Sequence, residues 1–532
     1  MSSSRSVNVP LVRVESSEDT TPPRKTGGDK ILHSMSRWRQ FVASPLLPLV
    51  VAGLLYSVIL TDDLFGDEYA QYRWSVLGSS PYGSLLALDV NTQLAKIGYL
   101  LVGQPWAIRL HSILFSLGTI VLIWMVAKRC FDSGTAIIAA WLAALSPYLI
   151  EFAAEARPNA IFVFAGTLFL YALLLFLQND SWPNTLLLMF SACFGLLARP
   201  MFVAILLFGL GYYIIRHRRI TLRLALVSLA AIPFIILMFC QMAAFSRIGP
   251  KESSDVSASL LNFLLRLPMA FTYGYCTLDY PERDAGWNIS IREVLVQNMM
   301  PVLISAIVFC AFLIGVVYLV RKVRSQTIFL IGAVVLPISI LLAVQETGFS
   351  MLNEKHCAGF VGAYYVLLAA ILVHICRFTW GKCTMLLYAY LVAVSLFHFY
   401  FRPEIYSRRS NFTALNSFLS GTLKNDDLLL GYRLSRERKP NYLTILEQAD
   451  HIIDLYQDKP PDVSLPEYVA SVDTACTGKI YLIYDSRLRP GIDPDNCVLS
   501  FMKKHRDFVV KHYGRNLLLY EFSQNAYGSE RL

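Results

Sequence analysis

The sequence predicts a mainly α polytopic membrane protein with about eleven transmembrane helices, followed by a C-terminal α/β soluble domain on the outer side. Three observations predict it. Hydrophobic residues make up 55% of the 532-residue chain and charged residues only 16%, against roughly 45–50% and 25% in soluble domains. Apolar runs close to the roughly 20 residues that cross a bilayer recur from residue 44 to residue 401. The short loops between them alternate in basic content, as cytoplasmic and outer loops do.

In chain order, residues 1–43 are polar, rich in Ser, Thr and Pro, and carry Arg24, Lys25, Lys30, Arg37 and Arg39 before any apolar run. They read as a disordered cytoplasmic tail with no cleavable signal peptide. The expected spans lie near 44–61, 106–127, 134–150, 159–178, 184–198, 200–215, 222–242, 299–320, 327–345, 358–376 and 383–401. With the tail inside, the loop 178–183 and the basic loops at Lys128-Arg129, Arg216-His217-Arg218-Arg219, Arg321-Lys322-Val323-Arg324 and 377–382 are cytoplasmic. The same register puts 62–105, 151–158, 243–298 and 346–357 together on the outer face, where chemistry is expected. Residues 44–401 therefore form a transmembrane domain and 402–532 an outer domain. In the latter, 427–432, 479–484 and 517–520 read as short buried strands, with a helix near 443–456.

The net charge of +9 sits mostly at the ends of apolar runs, which favours membrane anchoring over nucleic-acid binding. The ten cysteines show no paired metal spacing. Cys476 and Cys497 lie in a polar region, where an oxidising compartment would allow a disulfide.

The first outer loop holds Phe65-Gly66-Asp67-Glu68-Tyr69, two adjacent carboxylates just beyond the membrane. In an extended segment these two would point opposite ways. Next, Glu155-Ala156-Arg157-Pro158 joins two spans. Pro158 suits the first turn of the following helix, so Arg157 stands at the positive end of a helix dipole, where a phosphate binds well; a snorkelling interface arginine is the plainer reading. Arg199-Pro200 repeats the pattern with a tight hairpin as its simpler explanation, and Lys355, just before another span, is a third cation. Tyr69, Tyr72, Trp74, Tyr273 and Trp287 could stack on sugars, although an interfacial aromatic belt accounts for most of them.

In order and spacing these residues resemble the C-type glycosyltransferases related to protein O-mannosyltransferases and bacterial aminoarabinose transferases. The resemblance runs from Asp67-Glu68 through Pro105-Trp106-Ala107-Ile108-Arg109-Leu110, Lys128-Arg129-Cys130-Phe131, Leu145-Ser146-Pro147 and Glu155-Ala156-Arg157-Pro158 to Gly195-Leu196-Leu197-Ala198-Arg199-Pro200. Two places depart from it. Asp89-Val90-Asn91-Thr92-Gln93 replaces a His-Pro-Pro-like turn, and Lys355-His356 replaces Arg-Tyr, which bears on the substrate rather than the superfamily.

The resemblance implies inverting transfer of a sugar from a polyprenyl-phosphate carrier to a hydroxyl on a lipid, glycan or protein acceptor. Asp67, with Glu68 beside it, is the expected catalytic carboxylate, and Arg157, Lys355 and Arg199 are the expected lipid-phosphate ligands. Some relatives bind a divalent ion and others need none, so no cofactor is required by the resemblance and metal dependence stays open. A bacterial inner or plasma membrane is favoured over the endoplasmic reticulum; the sequons at Asn288 and Asn411 matter only in a eukaryote. The competing classes are a polytopic transporter and a non-catalytic membrane glycan-assembly protein.

Overall fold

The computed structural model describes residues 44–60, 64, 66–76, 89–248, 263, 267–274, 298–345, 354–401, 412–424, 426–431, 452–455, 458–460, 462–476, 478–485, 497–514 and 517–523. The expected tail, Trp287 and both sequon asparagines lie outside these residues.

Helices dominate. They run α1 Leu46–Leu60, α2 Gly66–Ser75, α3 Val90–Val102, α4 Leu110–Cys130, α5 Ser133–Ala144, α6 Pro147–Ala153, α7 Asn159–Gln178, α8 Trp182–Ala198, α9 Phe202–His217, α10 Leu222–Ile248, α11 Met299–Lys322, α12 Arg324–Gln345, α13 Val361–Ile375 and α14 Thr379–Phe401. Single 3-10 turns at Pro105–Arg109 and Glu354–Phe360 lead into α4 and α13. Among the described residues seven helices are long and apolar enough to cross a membrane, or eight if the bent pair α5 and α6 counts as one span. α1, α8 and α9 are apolar but shorter, so a helix stands at each expected position while the full count of eleven crossings does not follow from length.

Local chemistry sets the breaks. Asp89 caps α3 by accepting from the Thr92 N–H at 3.0 Å, and Gly103 ends that helix at φ 74°, in the left-handed region that a side chain would strain. Asp132 caps α5. The sequence pattern for 134–150 reads as one span, but Ser146-Pro147 splits it. Pro147 occupies the first position of α6, Ser146 caps it, and the two halves meet at 58°, because proline cannot continue a helix that has already begun.

α13 and α7 form the centre. Only Tyr364 and Val373 of α13 escape burial, as expected of a helix that is apolar all round. α10, α11 and α14 instead expose Leu229, Phe239, Leu313, Val317, Leu386 and Phe397, a lipid-facing periphery. The 3-10 turn before α13 reaches α7 through Gly166, where an added Cβ would stand 2.1 Å from the Gly359 carbonyl oxygen. The two backbones touch there, which fixes the height of Lys355 against α7.

Beyond α14, α15 (Phe412–Thr422), α16 (Leu465–Ala475) and α17 (Cys497–His505) accompany five strands: β1 Leu428–Gly431, β2 Ile452–Asp454, β3 Ile480–Asp485, β4 Phe508–Gly514 and β5 Leu517–Phe522. The sheet order is β2-β1-β3-β5-β4, parallel across β2, β1 and β3 and antiparallel across β3, β5 and β4. Leu430, Ile480, Leu482 and Phe522 pack on one face and Leu429, Tyr481 and Leu519 on the other. The three expected strands are present. The expected helix over 443–456 is corrected at its end, where Ile452–Asp454 is strand β2, and the rest of it lies outside the described residues. No disulfide joins Cys476 and Cys497.

Candidate active site

α4 and α7 define two ends of the helical body. At one end Arg129 Nη1, in the last turn of α4, donates to Gln178 Oε1 at the end of α7, 2.6 Å away, and Arg223 pairs with Asp180 at 3.0 Å. These are the loops expected to be cytoplasmic. At the other end, about 30 Å along a 21-residue helix, lie Arg109, Asn159, Arg199 and Lys355. Three of the segments expected on the outer face, 62–105, 151–158 and 346–357, meet there.

The first of these loops is helical rather than extended. Asp67 and Glu68 lie in α2, about 100° apart around its axis, which corrects the alternating arrangement. The Glu68 side chain is fully buried and Arg109 with it. Arg109 donates from Nε to Glu68 Oε1 at 2.8 Å and from Nη2 to Oε2 at 2.7 Å, the bidentate fork that suits guanidinium and carboxylate. A third donor, the Ala156 N–H, reaches Oε1 at 2.7 Å. Arg109 Nη1 also donates to the Leu60 carbonyl at 2.9 Å. Glu68, expected beside Asp67 as a catalytic group, thus has its lone pairs committed to two other segments. The side chain of Asp67 is outside the described residues, as is that of Tyr69.

On its other side Ala156 is held by Asn91 Nδ2, 3.4 Å from its carbonyl oxygen, and Asn91 Oδ1 accepts from His111 Nε2 at 2.9 Å. α2 and α3 are tied by Gln71 Nε2 donating to Thr92 Oγ1 at 2.8 Å, with Thr92 Oγ1 in turn donating to Asp89 Oδ2 at 2.6 Å. Tyr72 is buried edge-on against Tyr99, so it belongs to the packing of this subdomain rather than to an interfacial belt. Tyr273 is buried too.

The cations gather around Glu155. Its carboxylate is buried, with the equally buried Lys355 Nζ 3.4 Å from both oxygens. Oε2 also accepts from Asn159 Nδ2 at 3.0 Å. Asn159 Oδ1 accepts in turn from Arg199 Nη2 at 2.6 Å. Burial first, and then the nearby Arg157 guanidinium, pull the Arg199 guanidinium down to about 10, while Tyr148, Glu155 and Asp89 push the other way. It remains charged at neutral pH. Burial raises the Asp89 carboxyl above the usual range, against hydrogen bonds from Thr92 and the charge of Arg199. Arg157 immediately precedes Pro158, the cap of α7, as the sequence pattern expects.

Arg157, Arg199 and Lys355 are therefore neighbours of one carboxylate network, and α2 is bound to it through Ala156. Sequence reading missed Glu155, Asn159, Arg109 and Asp89. Glu155 and Asn159 are four apart and so share a helix-like face, a signal the sequence does contain. Glu68 and Arg109 are 41 residues apart, and no local pattern links them. Among the described residues no group of three or more His, Cys, Asp or Glu side chains could hold a metal ion.

Residues 90–243 match the family model of the dolichyl-phosphate-mannose-protein mannosyltransferases. No curated protein matches the chain in sequence. Among solved structures, ArnT from Cupriavidus metallidurans in the apo state is 13% identical, covers 92% of this chain and 98% of its own, and gives a TM-score of 0.47. The same enzyme bound to undecaprenyl phosphate gives 12%, 90%, 97% and 0.45. The Archaeoglobus fulgidus oligosaccharyltransferase tethered to an acceptor peptide gives 12%, 90%, 74% and 0.47. The matched segment contains Glu155, Arg157, Asn159 and Arg199. That segment resembles the dolichyl-phosphate-mannose-protein mannosyltransferases, and the apolar helices mark the chain as a multi-pass membrane protein.

Proposed function

We propose that the protein transfers a sugar from a polyprenyl-phosphate carrier to an acceptor hydroxyl on the outer face of the membrane, with inversion at the anomeric carbon. The observation that carries this reading is the assembly of Arg157, Arg199 and Lys355 around Glu155 and Asn159, next to the helix that bears Asp67. The buried Arg199 guanidinium, with the Arg157 guanidinium near it, is favoured in its charged form by any further negative charge. An incoming phosphate would supply that charge. The description of the matched family supports a polyprenyl-phosphate carrier.

In this mechanism Asp67 takes the proton of the acceptor hydroxyl as its oxygen bonds to the anomeric carbon from the face opposite the phosphate. The bond from that carbon to the phosphate oxygen breaks, and the electron pair leaves on the polyprenyl phosphate. Charge on the leaving phosphate rises during this step, so cations already fixed near it stabilise the transition state more than the ground state. The polyprenyl tail stays in lipid throughout.

The outer location rests on the alternation of basic loops, with a cytoplasmic tail and the 402–532 domain outside. The bacterial plasma membrane is the compartment the sequence favours. A transporter would place its polar groups near the bilayer midplane, whereas these sit at one end of α4 and α7.

The test uses membranes from a strain lacking the gene and complemented with the chain. They are supplied with a panel of polyprenyl-phosphate sugars led by dolichyl phosphate mannose. Sugar transfer with release of free polyprenyl phosphate supports the reading; no transfer from any donor of the panel, with the protein folded and present, overturns it. A reporter fused at the C-terminus that is active only in the cytoplasm would overturn the outer location.

A further inference from the structure

We propose that the Glu68–Arg109 pair is a positioning clamp, which sets the distance from Asp67 to the phosphate-binding cations and takes no proton itself. The proposal rests on the glycosyl-transfer reading above.

The first ground is the occupancy of Glu68. Its Oε1 accepts from Arg109 Nε and from the Ala156 N–H, and its Oε2 from Arg109 Nη2, all at 2.7 to 2.8 Å. To serve as a base it would have to release the guanidinium in a place with no exposure to water.

The second ground is what the pair joins. Arg109 opens the approach to α4 and donates to the Leu60 carbonyl at the end of α1. Glu68 lies one residue after Asp67 in α2. Ala156 is the single residue between Glu155, which holds Lys355, and Arg157. One carboxylate therefore ties the helix carrying the proposed base to the loop carrying Arg157 and Glu155, the partner of Lys355. Asn91 grips the same residue through its carbonyl oxygen, so residue 156 cannot slide in either direction without breaking a buried bond. Transfer needs the base and the leaving phosphate on opposite faces of one sugar ring, and displacement by about 1 Å costs on the order of a hundredfold in rate.

The experiment compares Glu68→Gln, Arg109→Lys and the double variant with wild type, as full chains in nanodiscs. It records kcat and KM for dolichyl phosphate mannose, or whichever donor of the panel is active, the pH profile of turnover, and binding of free dolichyl phosphate. Each single variant should lower kcat by about a hundredfold and the double variant no further than the worse single. Dolichyl phosphate binding should weaken only a few-fold, and the residual activity should keep the acidic limb of its pH profile. Asn91→Ala, which loosens the same residue and leaves the ion pair intact, should give a smaller loss of the same kind and covers the case in which the pair variants do not fold. Loss of the acidic limb in Glu68→Gln with normal turnover in Arg109→Lys would make Glu68 catalytic. Wild-type kcat in the folded fraction of Glu68→Gln or of Asn91→Ala would reduce the pair to a structural role, and either result overturns the proposal. Failure of the underlying reading has a separate mark, the absence of sugar transfer from every donor of the panel by the folded wild-type chain.

Discussion

The Lys355 ammonium lies 3.4 Å from both carboxylate oxygens of Glu155, a buried pair between residues 200 positions apart in the chain. That separation is longer than the 2.7–2.9 Å of a tight charge-assisted bond. Lys355 is held near Glu155 without being locked to one oxygen, which suits the phosphate-binding role proposed for it.

Glu155→Gln removes the negative charge but keeps an acceptor for Asn159. Lys355 and Arg199 then lose their counter-ion, so free dolichyl phosphate should bind more tightly and inhibit more strongly as product. Lys355→Ala should do the opposite and raise the donor KM. Product-inhibition kinetics on the two variants check this; equal inhibition constants would show that Glu155 does not compete with phosphate for the cation.

Arg157→Ala and Arg199→Ala should each lower kcat/KM by about 10²- to 10³-fold, the usual loss when one donor to a developing anion is removed. The two should differ in stability. Arg157 is half-exposed, and its removal should leave expression unchanged. Arg199 satisfies Asn159 in a buried network, so its removal strands a polar group at a cost of about 1–3 kcal/mol, which a lower melting temperature in detergent would record.

Gly166→Ala tests whether the fold places the site. The added methyl would meet the Gly359 carbonyl, four residues after Lys355, and must push the 3-10 turn away from α7. A loss of thermal stability together with a raised donor KM is expected, while Gly53→Ala, with open space around its Cβ, should be neutral in both. Normal values in Gly166→Ala would show that the contact does not set the position of Lys355.

Much of this arrangement was legible in the sequence because it is written in local patterns. The apolar runs place the helices, Pro158 places Arg157 at the mouth of α7, and the alternation of basic loops groups the segments that the fold brings together. The parts that were not legible depend on tertiary proximity. The sequence pattern sets Glu68 beside its neighbour Asp67, whereas in the fold its buried carboxylate meets a guanidinium 41 residues away. Arg109 resembles any arginine at the start of a span until its fork is seen to meet a carboxylate. The break at Ser146-Pro147 was hidden because both sides of it are apolar, and hydropathy does not register a 58° bend. In the C-terminal domain, β4 was missed and β2 was mistaken for helix because short strands carry a weak periodic signal.

The account stands most directly on Asp67→Asn, which keeps the size of the side chain but cannot take and hold a proton. Turnover should be measured with the donor of the panel that wild type uses, alongside binding of free dolichyl phosphate. The account predicts a fall in kcat of about 10²- to 10⁴-fold with dolichyl phosphate binding unchanged within a few-fold. Wild-type turnover in Asp67→Asn would contradict it.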